Sequence, residues 1–406
     1  MRPGALKDTL MQCLEDKDAS FFTPHPFSVG HRGAALMFPE HTAESYKAAI
    51  TMGAGVVECD VAVTKDGELV CRHSQCDLHT TTNILDTPLA SKCTQPFVPA
   101  DPVAGTNAKA TCCTSDITLA EFKTLCGKMD SYVSSATTVS EYMGGTANYR
   151  TDLYATCATV VTHSESIALI NAKGRWFTPE LKTYTQGPGM PTYDAIRHKM
   201  IQEYRDHGVP ASKVWPQSFN RPDIEYWINN EGEFGPHAVM LDGDYTDGSS
   251  GGLMNDFASL KAAGVRILAP PMQMLVKVEN NQYKPSNYAI TAKNMGFDII
   301  TWTLERSGPL KTGGGFYYGT SVGYTMFDGD ALHLTDVLAR EVGVLGLFSD
   351  WPATTTFYAN CMLKDLKAAG EMCRADMPDC AIGTKCVCDS SRRLLFASTG
   401  GHCECK

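Results

Sequence analysis

The chain has 406 residues, of which 43% are hydrophobic and 20% are charged, and its formal net charge is −10. This composition is typical of a globular protein with a large core, and it excludes collagen, coiled coils and disordered chains. The acidic balance argues against nonspecific nucleic-acid binding as the main function. The 16 cysteines are an even and unusually high number, which favours an oxidising compartment.

The sequence offers no membrane or targeting segment. No run approaches the roughly 18 apolar residues that a transmembrane helix needs, so stable membrane insertion is not expected. The first residues lack the apolar core, roughly 7–15 residues long, of a signal peptide. We therefore predict a secreted or periplasmic protein whose signal peptide is absent from this sequence because it has been removed.

Eight short apolar runs, each followed by a polar or glycine-containing turn, predict β-strands. In chain order they are Phe27–His31, Val56–Val63, Trp176–Lys182, Val214–Phe219, Ala238–Gly243, Val265–Pro270, Asp298–Leu304 and Leu345–Asp350. Between them lie helix-like stretches, among them Thr42–Met52, Pro191–His207, Arg221–Asn230 and Asn255–Ala263. Strands that alternate with helices form parallel βαβ units, and eight such units predict an α/β protein with a (β/α)₈ or TIM barrel.

Three parts of the chain lie outside this repeating pattern. Residues 1–26 form an N-terminal extension to the barrel, which we predict over 27–355. Within the barrel, residues 74–175 form a long insertion whose six cysteines predict a cap held by disulfides. Residues 356–406 are predicted to form a small Cys-rich C-terminal module. A zinc site is the competing interpretation, but the CxxC spacing of zinc ribbons is absent.

The cysteine counts constrain how the tail is attached. Seven cysteines lie from Cys361 onward and nine lie before it. Both numbers are odd, so full pairing requires at least one bridge from the tail to the barrel or the insertion.

Polar side chains collect where the predicted strands end, and barrel enzymes carry their active sites at that end. They comprise two histidines, one arginine, one lysine and three carboxylates, namely His31, His73, Arg32, Lys182, Glu58, Asp60 and Glu180. Glu58 and Asp60 share one face of a strand because side chains alternate. Carboxylates at a barrel mouth need neutralising, and oxygen ligands suit Mg²⁺ or Ca²⁺ better than Zn²⁺. Arginine and lysine beside such a cation suit a phosphate, and two histidines can serve as general base and acid.

The segments that carry these residues resemble the glycerophosphodiester phosphodiesterase family, within the phospholipase-C-like phosphodiesterase TIM-barrel superfamily. They are HRGAALMFPEHTAESYKAAITMGAGVVECDVAVTKDGELVCRH (31–73), PELK (179–182), QSF (217–219), WT (302–303) and SDWP (349–352). The resemblance implies an enzyme that hydrolyses small glycerophosphodiesters, such as glycerophosphocholine, to sn-glycerol 3-phosphate and an alcohol.

The resemblance also implies roles for the residues that perform the chemistry. Glu58, Asp60 and Glu180 match the family's ligands for one divalent cation, Mg²⁺ or Ca²⁺. His31 and His73 match its acid/base pair. We favour His31 as the base and His73 as the acid. The attacking oxygen belongs either to water or to the glycerol 2-hydroxyl of the substrate, which would pass through a cyclic phosphate.

Four further positions are implied to bind the substrate or to lie beside it. Arg32 and Lys182 match phosphate contacts. Glu40 matches a polar position beside the site, and Trp302 matches an apolar wall for the glycerol.

Two positions depart from the family pattern. His41 stands where the family usually has Asn, and Ser74 follows His73 where the family usually has Asp. Neither change removes a metal ligand or a proton-transfer histidine, although Ser74 is expected to orient His73 less firmly. The insertion over 74–175 lies where family members carry a variable substrate-facing insert, so we expect it to select the alcohol.

Two other functions stay open at this stage. One is a phospholipase-D-like enzyme of the same superfamily that acts on lysophospholipids or sphingophospholipids. A bilayer substrate would favour exposed apolar loops and a basic rim, and the net charge of −10 argues against the rim. The other is a noncatalytic binding protein on the same barrel, which the retention of every acid/base and ligand residue disfavours.

Overall fold

Eight parallel strands close into a barrel in the computed structural model, which describes residues 1–16, 20–151, 153, 157–245, 247–249 and 251–363, and the backbone of three short strands beyond them. The barrel strands are β1 (His25–Gly30), β2 (Ala54–Val63), β3 (Trp176–Leu181), β4 (Gln217–Ser218), β5 (Val239–Leu241), β6 (Ile267–Ala269), β7 (Asp298–Leu304) and β8 (Gly346–Ser349). Each strand pairs with the next, and β1 pairs with both β2 and β8, which closes the sheet. The predicted TIM barrel and its eight strands are confirmed.

Helices alternate with these strands and extend into the insertion. They are α1 (Ala5–Glu15), α2 (Ala43–Thr51), α3 (Leu78–Thr81), α4 (Leu119–Phe122), α5 (Val139–Met143), α6 (His163–Asn171), α7 (Tyr193–Asp206), α8 (Arg221–Asn230), α9 (Phe257–Ala262), α10 (Asn287–Asn294), α11 (Ala331–Asp336) and α12 (Ala353–Met362). The four predicted helices correspond to α2, α7, α8 and α9. Thr42 and Thr192 begin two of them, because each threonine hydroxyl accepts a hydrogen bond from a backbone N–H of the first turn.

The barrel strands separate two apolar layers, one inside the barrel and one between the strands and the outer helices. Successive side chains of β2 point alternately into these two layers. Val56 belongs to the cluster inside the barrel. Val57 and Cys59 belong to the cluster between the strands and the outer helices. Because side chains alternate along a strand, Glu58 and Asp60 lie on the inner face with Val56. Cys59 forms a disulfide with Cys71 on the outer face, so β2 delivers its carboxylates to the barrel mouth.

The insertion has a core of its own, which includes Leu78, Ile84, Phe122, Tyr142 and Met143. Its short antiparallel pairs are Gln95–Val98 with Lys109–Thr111 and Cys126–Gly127 with Ala158–Thr159. The strand Leu69–Cys71, just before it, pairs antiparallel with β2. Its six cysteines form three internal bridges, namely Cys76–Cys113, Cys93–Cys112 and Cys126–Cys157. The predicted disulfide-held insertion is therefore confirmed, and a separate hairpin, Val276–Glu279 with Gln282–Pro285, follows β6.

The chain ends are joined by a disulfide between Cys13 on α1 and Cys361 on α12. The odd cysteine counts predicted a bridge of this kind, but its partner lies in the N-terminal extension and not in the barrel or the insertion. Helix α12 crosses the predicted module boundary at residue 355. Beyond it, the backbone of Met372–Cys373, Cys386–Cys388 and Cys403–Cys405 forms an antiparallel sheet. The predicted disulfides of this module, and the competing zinc site, lie outside the described residues.

Candidate active site

Three carboxylates converge at the carboxyl ends of β2 and β3. Glu58 and Asp60 come from β2, and Glu180 pairs with Asp60 across the strand register. One oxygen of each lies within 4.8 Å of the others. All three residues are buried. Burial, together with the charge of Asp60 and Glu180, raises the pKa of Glu58 well above its usual range, because three negative charges at this separation repel each other.

The donor set fits a divalent cation of the hard type. Burial raises the pKa of Glu180 to about 7, so the three carboxylates by themselves are electrostatically unfavourable and a positive charge would relieve their repulsion. Oδ1 of Asp60 is buried without a hydrogen-bond partner among the described residues. Oxygen donors of this kind suit Mg²⁺ or Ca²⁺. Gln217 in β4 donates from Nε2 to Oε1 of Glu58 at 2.9 Å and so fixes that carboxylate.

His31 follows β1 and lies between a carboxylate and the acidic cluster. Its Nδ1 is 2.5 Å from Oδ1 of Asp350, and its Nε2 is 3.8 Å from Oε2 of Glu58. Burial lowers the pKa of His31 despite the neighbouring Asp350, so the ring is neutral near pH 7. With its Nδ1–H donated to Asp350, His31 keeps the Nε2 lone pair for a proton from the side of the cluster.

Arg32 is held in a left-handed turn that sends the chain from β1 back over the barrel mouth. Its φ is +54°, and its backbone N–H donates to Oε2 of Glu58 at 2.9 Å. The next residue must be glycine, because a Cβ at Gly33 would lie 2.7 Å from the backbone carbonyl carbon of Ser45. The Arg32 guanidinium binds Oε2 of Glu40 at 3.0 Å. Glu40 is therefore buried behind Arg32, where it orients the guanidinium.

Lys182 lies one residue beyond β3, beside an open cavity of about 200 Å³. Its Nζ is 2.5 Å from Oε1 of Glu180. Burial opposes its charge, but Glu180 and Asp60 raise the pKa of Lys182 above its usual value, so it stays cationic. Ser74 and Phe219 also line this cavity, which joins the predicted phosphate-binding lysine to the start of the insertion.

His73 is present at the site but is held less firmly than His31. Burial and the charges of Arg32 and Lys182 lower the pKa of His73 well below its usual value. Among the residues described in the structure, none forms a hydrogen bond with its ring. Ser74 donates its N–H to Asp77 at 3.2 Å, and its hydroxyl accepts from the Cys76 N–H at 3.3 Å. Its side chain is thus engaged in the turn.

His41, which stands where the family usually has Asn, lies behind the acidic cluster. Its Nε2 is 2.8 Å from Oδ2 of Asp60, and its Nδ1 is 2.9 Å from the hydroxyl of Tyr46. Burial lowers the pKa of His41 to about 4, so the neutral ring donates to Asp60 and accepts from Tyr46. The donor to Asp60 that His41 supplies orients a predicted metal ligand.

Aromatic side chains form one wall of the mouth around Trp302. The indole Nε1–H donates to the carbonyl of Ala269 at 2.9 Å, which fixes the ring. Phe219, Tyr245 and Tyr317 pack edge-on against it, with ring centroids 5.6 to 6.0 Å away. Trp302 is therefore fixed among aromatic rings, and its role as an apolar wall for the glycerol stays a prediction.

The structure brings all nine predicted site residues to the same end of the barrel and adds others that sequence reasoning missed. Asp350 and Gln217 lie inside the SDWP and QSF segments, so their positions at strand ends were a usable signal. Arg306 follows β7 in the same way and contacts both Asp350 and Glu40. Asp130, its third partner, comes from the insertion, where no pattern singled it out.

Comparison with known proteins agrees with this geometry. The model of the glycerophosphoryl diester phosphodiesterase family matches residues 31–354. An extracellular protein from Arthroderma benhamiae is 41% identical over 243 residues, which cover 57% of this chain and 99% of that relative. A glycerophosphodiester phosphodiesterase from Bacillus subtilis is 46% identical over 56 residues, only 14% of this chain and 19% of that relative.

Among solved structures, a candidate glycerophosphoryl diester phosphodiesterase from Silicibacter pomeroyi superposes with a TM-score of 0.53 at 18% identity. The match covers 86% of this chain and 97% of that one, and at this identity it shows the fold alone. Fold and site together define a (β/α)₈ hydrolase whose barrel mouth carries an acidic cluster, two histidines, and the positively charged side chains of Arg32 and Lys182. The chain belongs to the glycerophosphoryl diester phosphodiesterase family and is a phosphoric diester hydrolase of that class.

Proposed function

We propose that this enzyme hydrolyses small glycerophosphodiesters, such as glycerophosphocholine, to sn-glycerol 3-phosphate and an alcohol, and that it requires Mg²⁺ or Ca²⁺. One observation carries the proposal. The oxygens of Glu58, Asp60 and Glu180 lie within 4.8 Å of one another, with Arg32, Lys182 and two histidines around them. A cation and two basic side chains at one point suit a phosphodiester.

His31 acts as the general base. It takes the proton of the attacking oxygen at Nε2, while Asp350 holds Nδ1 and stabilises the imidazolium that forms. The oxygen, from water or from the glycerol 2-hydroxyl, bonds to phosphorus. In the second case this step forms a cyclic phosphate, and a water molecule then has to attack the phosphorus and open the ring to give sn-glycerol 3-phosphate. The bond from phosphorus to the alcohol oxygen breaks on the opposite side.

His73 donates a proton to the departing alcohol oxygen. In the free enzyme, burial and the charges of Arg32 and Lys182 lower the pKa of His73. This shift by itself would leave His73 without the proton that it has to donate. A phosphodiester anion bound between Arg32 and Lys182 would offset part of their charge and so favour the protonated form of His73.

Arg32 and Lys182 bind the nonbridging phosphate oxygens, and Glu40 keeps the Arg32 guanidinium in its plane. A divalent cation held by Glu58, Asp60 and Glu180 would supply further positive charge as the transition state develops. Trp302 presents its ring to the glycerol carbons.

Two measurements with glycerophosphocholine test this assignment. His73→Ala should reduce turnover at least ~10²-fold, which is the usual contribution of a general acid. Removal of divalent cations with EDTA should abolish turnover, and Mg²⁺ or Ca²⁺ should restore it. Near-normal turnover of the variant would remove His73 from the mechanism, and activity that is insensitive to chelation would remove the cation.

A second candidate function, hydrolysis of lysophospholipids, is favoured by the loop that follows β7. Phe316, Val322, Met326 and Phe327 on this loop have exposed fractions of 46 to 61%. Phe316 contacts Tyr245, which in turn contacts Trp302, so the exposed apolar residues adjoin the mouth. An acyl chain could lie along this surface. Turnover of lysophosphatidylcholine above that of glycerophosphocholine would favour this substrate class.

We propose that the protein is exported, to the cell exterior or the periplasm. Five disulfides join described residues, and bridges of this number persist in oxidising compartments. The relative from Arthroderma benhamiae is described as extracellular. None of the helices in the described part of the chain has the length and apolar character of a membrane span. The small Cys-rich module predicted over residues 356–406 remains a proposal, and its first residues form the end of α12.

A further inference from the structure

Arg306 occupies a central position behind the active site. It lies two residues beyond β7, and its guanidinium contacts three carboxylates. Nη2 is 2.9 Å from Oε2 of Glu40 and 2.7 Å from Oδ2 of Asp130, and Nη1 is 3.2 Å from Oδ2 of Asp350. Its side chain is 17% exposed. A largely buried guanidinium with three carboxylate partners stays charged, and its partners fix the orientation of its plane.

Two of those carboxylates orient groups that the proposed mechanism uses. Asp350 holds His31 through its other oxygen. Glu40 holds Arg32 through the same oxygen that binds Arg306. Among the described residues, Arg306 forms no ion pair with the three predicted cation ligands, but it fixes the partners of the base and of a phosphate-binding arginine.

The third carboxylate comes from outside the barrel. Asp130 belongs to the insertion, and it binds two arginines, one with each oxygen. Oδ1 lies 2.7 Å from Nη2 of Arg150. Arg150 in turn donates to the carbonyls of Ala35 and Leu36 at 2.6 and 3.1 Å. This places the insertion against the segment that follows β1.

The turn that carries Asp130 is itself fixed. Lys128 is 1% exposed, and its ammonium donates to the carbonyls of Thr80, Met129 and Ser131. The strand just before it pairs with Ala158–Thr159, and the Cys126–Cys157 disulfide closes the same pair of segments. An ammonium satisfied by three carbonyls pins both sides of residue 130, so Asp130 is presented to Arg306 by a rigid support.

We propose that Asp130 is a positioning residue: by holding Arg306 between Glu40 and Asp350, the insertion completes the catalytic arrangement of the barrel. This inference rests on the proposed phosphodiesterase function. It gives the insertion a part in turnover beside its predicted part in selecting the alcohol. The insertion and the barrel thus share one active site.

The test uses Asp130→Asn in the full chain. Both oxygens of Asp130 accept hydrogen bonds from arginines. The amide keeps one acceptor for two guanidiniums, and because it is neutral it holds Arg306 more weakly even where that acceptor faces Arg306. A displacement near 1 Å at catalytic groups costs up to about 10²-fold. We expect kcat for glycerophosphocholine to fall between about 10- and 100-fold, with KM within about threefold of the original value.

Two comparisons separate positioning from general loss of structure. Glu141→Gln changes an exposed carboxylate of the same insertion that only caps α5, and it should leave kcat unchanged. In an Arg306→Lys background, Asp130→Asn should add little, because both changes act through the same guanidinium. If Asp130→Asn does not fold, Asp130→Glu keeps the charge, shifts its position and provides the same measurement.

Wild-type kcat in Asp130→Asn, additive effects with Arg306→Lys, or a change in KM alone would overturn the proposal. If the unmodified enzyme does not hydrolyse glycerophosphodiesters at all, the proposed function fails separately. Crystal structures of the original protein and Asp130→Asn decide the positioning in that case. Arg306 should leave Glu40 or Asp350 in the variant, and its retention between them would refute the inference.

Discussion

Asp350→Asn is the substitution whose outcome the structure defines most closely. Asp350 lies between two groups, with Oδ1 2.5 Å from Nδ1 of His31 and Oδ2 3.2 Å from Nη1 of Arg306. An arginine can only donate, so in the variant the oxygen of the new carboxamide must face Arg306 and its NH₂ must face His31. Nδ1 of His31 would then have to accept, which moves the ring proton to Nε2 and removes the lone pair of the base.

The expected loss follows from the contribution of a general base, which is typically ~10²–10⁴-fold in rate. We expect kcat to fall about 10³-fold, which corresponds to about 4 kcal/mol in activation free energy. The assay is release of sn-glycerol 3-phosphate from glycerophosphocholine at saturating substrate and divalent cation.

Asp336→Asn is the matched control, since Asp336 also pairs with an arginine, Arg340, but at the end of helix α11 and with none of the site residues. It should keep its kcat. A kcat for Asp350→Asn within about threefold of the original would refute His31 as the base.

Three further variants, one of them a double substitution, test separate features of the molecule. His41→Ala removes the donor to Asp60, and the concentration of Mg²⁺ needed for half-maximal activity after chelation should rise about 10- to 100-fold, whereas an unchanged requirement would contradict the role given to His41. Burial raises the pKa of Glu305 to about 7 from its ordinary value of 4.5. The folded protein therefore binds the proton more tightly, and this contribution to stability is lost as pH rises from about 4.5 to 7. Glu305→Gln should exceed the original protein in unfolding free energy by up to about 3 kcal/mol at about pH 8 and not at about pH 4.5, as measured by urea titration; equal pH dependence in both proteins would be inconsistent with the shift. Replacement of Cys13 and Cys361 by serine should lower the unfolding free energy by about 2–4 kcal/mol while kcat is retained, and a loss of activity without a loss of stability would contradict a purely structural bridge.

The barrel could be predicted from the sequence because each strand is a short apolar run that ends in a polar turn. Local pattern was sufficient for Glu58 and Asp60 as well, since alternation along one strand puts them on one face. The inner position of Val56 and the outer position of Cys59 follow from the same rule. These features depend on residues that are close together in the sequence, so local patterns are enough to predict them.

Features that depend on contacts between distant segments were harder to predict. Asp350 is 319 residues from His31, and Arg306 is 176 residues from Asp130. No spacing rule joins such positions, because closure of the barrel brings Asp350 to His31 and the folding of the insertion against the barrel brings Asp130 to Arg306. The pairing of Cys13 with Cys361 could not be predicted for the same reason. The odd cysteine counts required a disulfide between the tail and the rest of the chain, but they did not show which cysteine is its partner. In the sequence, His41 was recognisable only as a departure from the family pattern. The structure shows that its ring donates a hydrogen bond to Asp60.

The central claim concerns which phosphate ester bond the enzyme breaks, and ³¹P NMR of a glycerophosphocholine digest tests it directly. We predict that the substrate resonance is replaced by that of sn-glycerol 3-phosphate, that the change requires a divalent cation, and that Asp350→Asn slows it. Appearance of phosphocholine in its place, or persistence of the substrate with Mg²⁺ or Ca²⁺ present, would contradict it.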